Sequence, residues 1–169
     1  MGAAPGTGSG RGVVVVGVDG SDASKQALVW AQFFAHATGD TLEVVAAWVP
    51  LTSYGVMGAG VAVVPPAWDP RADTAKALTA TISEVFGQHP PVGLRQSVRE
   101  SHAAQVLIEA SRGAQLLVVG SRGHGGFAGL LLGSVSSACS EHAECPVVVV
   151  RGDTPPPGVP EEDRASRDK

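Results

Sequence analysis

Six glycines fall within the 17 residues from Gly120 to Ser136: Gly120-Ser121-Arg122-Gly123-His124-Gly125-Gly126-Phe127-Ala128-Gly129-Leu130-Leu131-Leu132-Gly133-Ser134-Val135-Ser136. Glycine lacks a Cβ, so backbone N–H groups can approach an anion closely. A helix beginning near Gly133 would add unpaired N–H donors and the positive end of its dipole. The hydroxyls of Ser134 and Ser136 can donate as well, and Arg122 can supply a charge-assisted contact. The chemistry these residue types share is the holding of phosphate oxygens. Net charge is −4. No global positive field therefore gathers nucleic acid or an anionic membrane, and phosphate must be held by local donors.

Other phosphate motifs fail on inspection. A Walker A loop needs Gly-Lys followed by Ser or Thr, and no Gly-Lys pair occurs. Gly123, Gly125 and Ala128 fit a loose dinucleotide pattern, but the next apolar run, Val147 to Val150, leads into Arg151 instead of an acidic residue. Gly6, Gly8 and Gly10 precede the first strand, where no phosphate loop belongs. The five histidines show no metal-ligand spacing. His124 alone lies inside the glycine segment, as a phosphate contact or a solvated loop residue. Phosphoryl transfer needs metal ligands and a positioned nucleophile. No paired carboxylates stand near the segment, so a binding module is expected rather than an enzyme, and no catalytic residue is assigned. The alternatives are a slow ATPase or phosphotransfer enzyme on the same site, or an interaction scaffold without nucleotide.

The elements that position the segment alternate along the chain. Val13 to Val18 is a nearly continuous apolar run, as in a strand covered on both faces. Asp19-Gly20-Ser21-Asp22 is a turn leading to a helix over Asp22 to Thr38, with Gly39 as its C-terminal cap. Leu42 to Trp48 reads as the second strand. A helix opens at Asp69-Pro70, with Leu78, Ile82, Val85 and Phe86 on its apolar stripe. Val92 to Val98 is expected as an edge strand, Ala103 to Ser111 as a helix and Gln115 to Val119 as the fourth strand. Leu130 to Glu144 is expected to be mostly helical, and Pro146 to Val150 is the last strand. Strict alternation predicts one doubly wound α/β domain with a parallel sheet and helices on both faces. Ligands of such sheets lie beyond the carboxyl ends of the strands, which singles out Val18-Asp19 and Val119-Gly120.

Residues 12–151 form the expected domain. Residues 1–11 and 152–169 are rich in small, polar or proline residues and are expected to be flexible tails. The loop from Pro50 to Pro66 is long enough to suggest a cover for the ligand or a partner surface. Hydrophobic residues make up 44% of the chain, but no apolar run reaches bilayer length, and no signal-peptide pattern begins it. Cys139 and Cys145 are expected as reduced, small apolar residues, which suits the cytoplasm.

The spacing Gly120, two residues, Gly123, nine residues, Gly133-Ser134 resembles the nucleotide motif of the ATP-binding branch of the universal stress protein family. Val16-Gly17-Val18-Asp19-Gly20-Ser21 resembles that family's first strand and turn, and Pro146 to Val150 its last strand. The resemblance implies five parallel strands in the order 3-2-1-4-5. It implies an adenine nucleotide, ATP or AMP/ADP, with Mg²⁺ carried on the phosphates. Asp19, beside Val18, would meet the adenosine, and Ala47 the adenine. Val119 and Gly120 would line the pocket, with Gly123 near the ribose and phosphate. Gly133, Ser134, Val135 and Ser136 would hold the phosphates, with Arg122 beside them. It further implies a homodimer through Val147 to Val150 and a role as a nucleotide-dependent stress-response module. The chain departs from the family in having Ala46-Ala47-Trp48 where histidine is frequent, and Gln115 where aspartate is.

Overall fold

The computed structural model describes residues 12–50, 68–123, 132–152 and 155–157. Along the chain run β1 (Val13–Gly17), α1 (Asp22–Thr38), β2 (Thr41–Trp48), α2 (Pro70–Phe86), β3 (Arg95–Glu100), α3 (Ala103–Ser111), β4 (Leu116–Gly120), α4 (Ser134–His142) and β5 (Val147–Val150). All strand pairs are parallel, and the sheet order is β3-β2-β1-β4-β5. The fold class and strand order expected from sequence are those found.

Alternate side chains of the central strands feed two cores. Val14, Val16, Leu42 and Val44 face Leu28, Leu78 and Ile82 of α1 and α2. Val15, Val45, Leu117 and Val119 face Val106, Leu107 and Cys139 of α3 and α4. Val14, Val15 and Val16 are each 1% exposed or less, which is why their run shows no alternation of polarity. Each such side chain contributes about 1.5–3 kcal/mol by leaving water.

Caps set the helix ends. Ser21 accepts from the Ser24 amide at the start of α1, and Gly39 closes it in the left-handed region at φ 77°. Asp69 caps α2 by accepting from the amides of Arg71 and Ala72, with Pro70 in the first turn. Two expected elements need correction. The third strand begins at Arg95 rather than Val92. Gly93 turns the chain at φ 83°, the Leu94 amide closes on Pro91, and Val92 is left in solvent. The last helix begins at Ser134 rather than Leu130, because Gly133 takes an extended conformation as its N-cap. It ends at His142, where Ala143 returns to extended backbone. The expected loop over Pro50 to Pro66 lies outside the described residues except for Pro50 itself, and so does His124.

Burial pushes the Cys139 thiol up from its usual 9.0 to about 11. The unfolded chain therefore loses this proton first, and stability falls as pH rises between those values. A shift of this size corresponds to about 2–3 kcal/mol. Urea unfolding of the parent at about pH 8 and about pH 10.5 should show that loss, and Cys139→Ala should lose less. Equal losses in both proteins would rule out this thiol as the cause.

Candidate functional site

A cavity of about 430 Å³ opens beyond the carboxyl ends of β1, β2 and β4. The sheet order reverses there, since β1 connects onward to β2 on one side while β4 lies on the other. Val45 and Ala47 of β2 with Ala103, Val106 and Leu107 of α3 give one wall that is apolar throughout. The first turn of α4 and the strand-end residues Gly120, Arg122 and Gly123 give a polar wall. All eleven residues singled out from sequence border this one space: Val18, Asp19, Ala47, Val119, Gly120, Arg122, Gly123, Gly133, Ser134, Val135 and Ser136.

The polar wall is built by close backbone approach. A Cβ on Gly120 would stand 2.8 Å from the carbonyl carbon and oxygen of Ala23, so the end of β4 is packed directly on the first turn of α1. A Cβ on Gly123 would run into Asp19 Oδ2. The turn after β1 and the glycine segment after β4 therefore touch at two points. Across the segment, the carbonyl of Ser121 accepts from the Gly133 amide at 2.7 Å and from Ser136 Oγ at 3.0 Å. These bonds hold the start of α4 beside the end of β4.

The start of α4 offers donors. The first helical bond runs from the Ser137 amide to the Gly133 carbonyl at 3.0 Å, and no side chain caps the turn. The amides of Ser134, Val135 and Ser136 precede that bond, and the helix dipole adds to their positive potential. Ser134 is exposed, and Arg122 is exposed with no ion-pair partner among the described residues. The hydroxyl of Ser136 departs from expectation. It is buried and points to the carbonyls of Ser121 and Gly133, so its proton fastens the helix instead of facing the cavity.

Asp19 is held from its own turn. Its Oδ1 accepts from the Ser21 amide at 3.0 Å and from Ser21 Oγ at 2.6 Å. Its amide donates to Ser24 Oγ at 3.3 Å, and that hydroxyl donates to the Ser21 carbonyl at 2.9 Å. Ser24 is buried and borders the cavity, a role the sequence reading missed. It also missed Gly17, Val45, Ala103, Val106, Leu107 and Leu132. Leu107 lies over Gly17, where a Cβ would come within 2.6 Å of its Cδ1. The signal for the α3 residues was available, since a short helix following an edge strand must start at the same end of the sheet. Among the described residues no group of three or more His, Cys, Asp or Glu could hold a metal, and no helix is long and apolar enough to cross a membrane.

A model of the universal stress protein family matches residues 10–151. A universal stress protein of Mycolicibacterium smegmatis is 37% identical over 139 residues, covering 82% of this chain and 45% of that protein. One from Mycobacterium tuberculosis is 36% identical over 140 residues, covering 82% and 44%. The chain thus spans less than half the length of these curated relatives. Universal stress protein UspA from Lactobacillus plantarum shares the fold at a TM-score of 0.63 and 21% identity, covering 85% of this chain and 100% of that one. A universal stress protein solved in complex with cAMP aligns at a TM-score of 0.53 and 26% identity, covering 84% and 98%. With a family model spanning the whole described sheet and relatives above one-third identity, the chain belongs to the universal stress protein family.

Proposed function

We propose that the domain binds ATP in this cavity and acts as a nucleotide-dependent regulatory module of the stress response. The observation that carries the reading is the pairing of two unlike walls. An apolar wall from β2 and α3 suits a purine face, and amides at the start of α4, with Gly123 and Arg122, suit phosphate oxygens. A related protein's complex with cAMP supports an adenine nucleotide as the ligand class. Mg²⁺ would be carried on the phosphates, because this cation keeps most of its water and takes few protein ligands. The site offers positioned donors but no assigned nucleophile, so the reading is occupancy rather than turnover.

The same proposal includes a homodimer and a cytoplasmic setting. Among the described residues β5 is paired only on its β4 side, and it consists of four valines, an edge suited to a second copy. Both cysteines are free thiols, as expected where thiols are kept reduced.

Denaturing the purified protein and chromatographing the supernatant should release adenine nucleotide. If the protein purifies empty, ATP at about 100 times its Kd should raise the melting temperature by roughly 5 °C or more. Neither release nor a shift at millimolar ATP would end the nucleotide reading.

A further inference from the structure

We propose that Leu107 is a specificity-determining residue: seated on Gly17 at the floor of the cavity, it sets how large a base the site admits. The inference rests on the nucleotide reading above. A Cβ on Gly17 would stand 2.6 Å from Leu107 Cδ1, 3.1 Å from its Cδ2 and 3.4 Å from its Cγ. The end of the leucine side chain therefore occupies the space that any other residue at the end of β1 would fill. Leu107 is 4% exposed and packs in the core that α3 and α4 form against the sheet. It also borders the cavity, as Gly17, Val45 and Val106 do. The side chain is thus a partition, with packed core on one side and ligand space on the other. Close packing leaves it one direction in which to move, and that is into the cavity.

The place of Leu107 along its helix says which part of a ligand it meets. Ala103 begins α3 at the carboxyl end of the sheet, and Leu107 lies one turn further along. Gly17 is the last residue of β1 and comes before Val18, which also borders the cavity. Leu107 and Gly17 therefore lie deeper than the strand ends. A nucleotide whose phosphates are held at the start of α4 enters this apolar depth with its base. The edge of a purine remote from the glycosidic bond, which carries positions 2 and 6 of the ring, goes in first. The side chains of Val45, Val106 and Leu107 offer that edge no hydrogen bond, so what they discriminate is volume. An apolar pocket separates ligands that differ by one methylene by about 10–200-fold.

The test titrates ATP, N6-benzyl-ATP and 2-methylthio-ATP calorimetrically into the parent, Leu107→Ala, Leu107→Val, Gly17→Ala and the double variant Gly17→Ala with Leu107→Ala. The parent should bind ATP about tenfold more tightly than either analogue. Leu107→Ala should bind ATP several-fold more weakly, having lost apolar contact, yet bind at least one analogue about tenfold more tightly than the parent does. Gly17→Ala works in the opposite direction. Its methyl displaces the tip of Leu107 into the cavity, which should weaken ATP by about tenfold. Where Leu107 is already alanine, the same methyl finds room and should cost little. Leu107→Val removes less of the side chain and keeps the inference testable if Leu107→Ala fails to fold. An unchanged ratio of analogue to ATP in the folded Leu107 variant would overturn the inference, because a loss of stability alone would weaken all the nucleotides alike. A parent that accepts the enlarged bases as well as ATP would overturn it too, as would a Gly17→Ala effect that is the same with and without Leu107. Each of these results leaves the nucleotide reading intact. A parent that binds none of the nucleotides would remove the reading and this inference together.

Discussion

Gly133→Val should weaken ATP binding by about 100-fold while leaving the fold standing. Two or more charge-assisted contacts to phosphate are at stake there, each worth about 1.5–3 kcal/mol. The position itself tolerates a side chain. A Cβ would stand 3.5 Å from Arg122 Cα, 3.6 Å from the Ser121 carbonyl oxygen and 3.8 Å from Ser136 Oγ, all ordinary contact distances. Backbone φ is −77°, which any residue adopts. The outlet for the branching methyls is the cavity that Arg122, Gly133 and Ser136 border. Valine is a poorer N-cap than glycine, so a stability loss of about 1 kcal/mol is expected, a few degrees in melting temperature. Titration calorimetry beside a thermal melt checks both halves. A folded variant with parental affinity would show that phosphate does not sit at the start of α4.

Gly120→Ala should fail in the opposite way, by damaging the fold. Its added methyl would lie 2.8 Å from two backbone atoms of Ala23 and 3.0 Å from that residue's Cβ. Backbone in the first turn of a packed helix cannot step aside as a side-chain tip can. Overpacking of this kind costs about 1–3 kcal/mol, which lowers the melting temperature of a domain this size by roughly 3–10 °C. Binding should fall with it, because the same shift moves Asp19 relative to Gly123. Denaturant unfolding gives the stability, and a midpoint equal to the parent's would mean that β4 and α1 have room to separate. The two glycines of one motif therefore have separable reasons: Gly120 serves packing, and Gly133 serves access to the ligand.

Much of this was legible in the sequence because local and tertiary signals agreed. The unbroken valines of β1 announced a strand covered on both faces, and Gly39 and the Asp69-Pro70 pair marked their helix ends. Errors arose where an apolar run had a use other than regular structure. Leu132 looked like part of the last helix, but it borders the cavity, and Gly133 is the extended N-cap of a helix that begins at Ser134. Val92 looked like strand and lies in a turn, exposed, because the pair Pro90-Pro91 followed by Gly93 outweighs one β-branched residue. Within the site, positions with distinctive residue types could be named in advance. Ala103, Val106 and Leu107 carry a signal only through topology, since alanine, valine and leucine on a helix read as core unless the start of that helix is placed at the carboxyl end of the sheet. The direction of the Ser136 hydroxyl was equally hidden, because a serine in the first turn of a helix can face a ligand or its own backbone.

The Ser121 carbonyl, which holds both the Gly133 amide and the Ser136 hydroxyl, bears on how such a domain could be re-engineered. The two ends of the intervening stretch, at Ser121 and Gly133, stand one hydrogen bond apart. Closing a longer loop between fixed ends adds little entropy cost, since doubling its length costs only about 0.6 kcal/mol. Insertions between Gly123 and Leu132 should therefore lengthen the connection while the amides at the start of α4 keep their address.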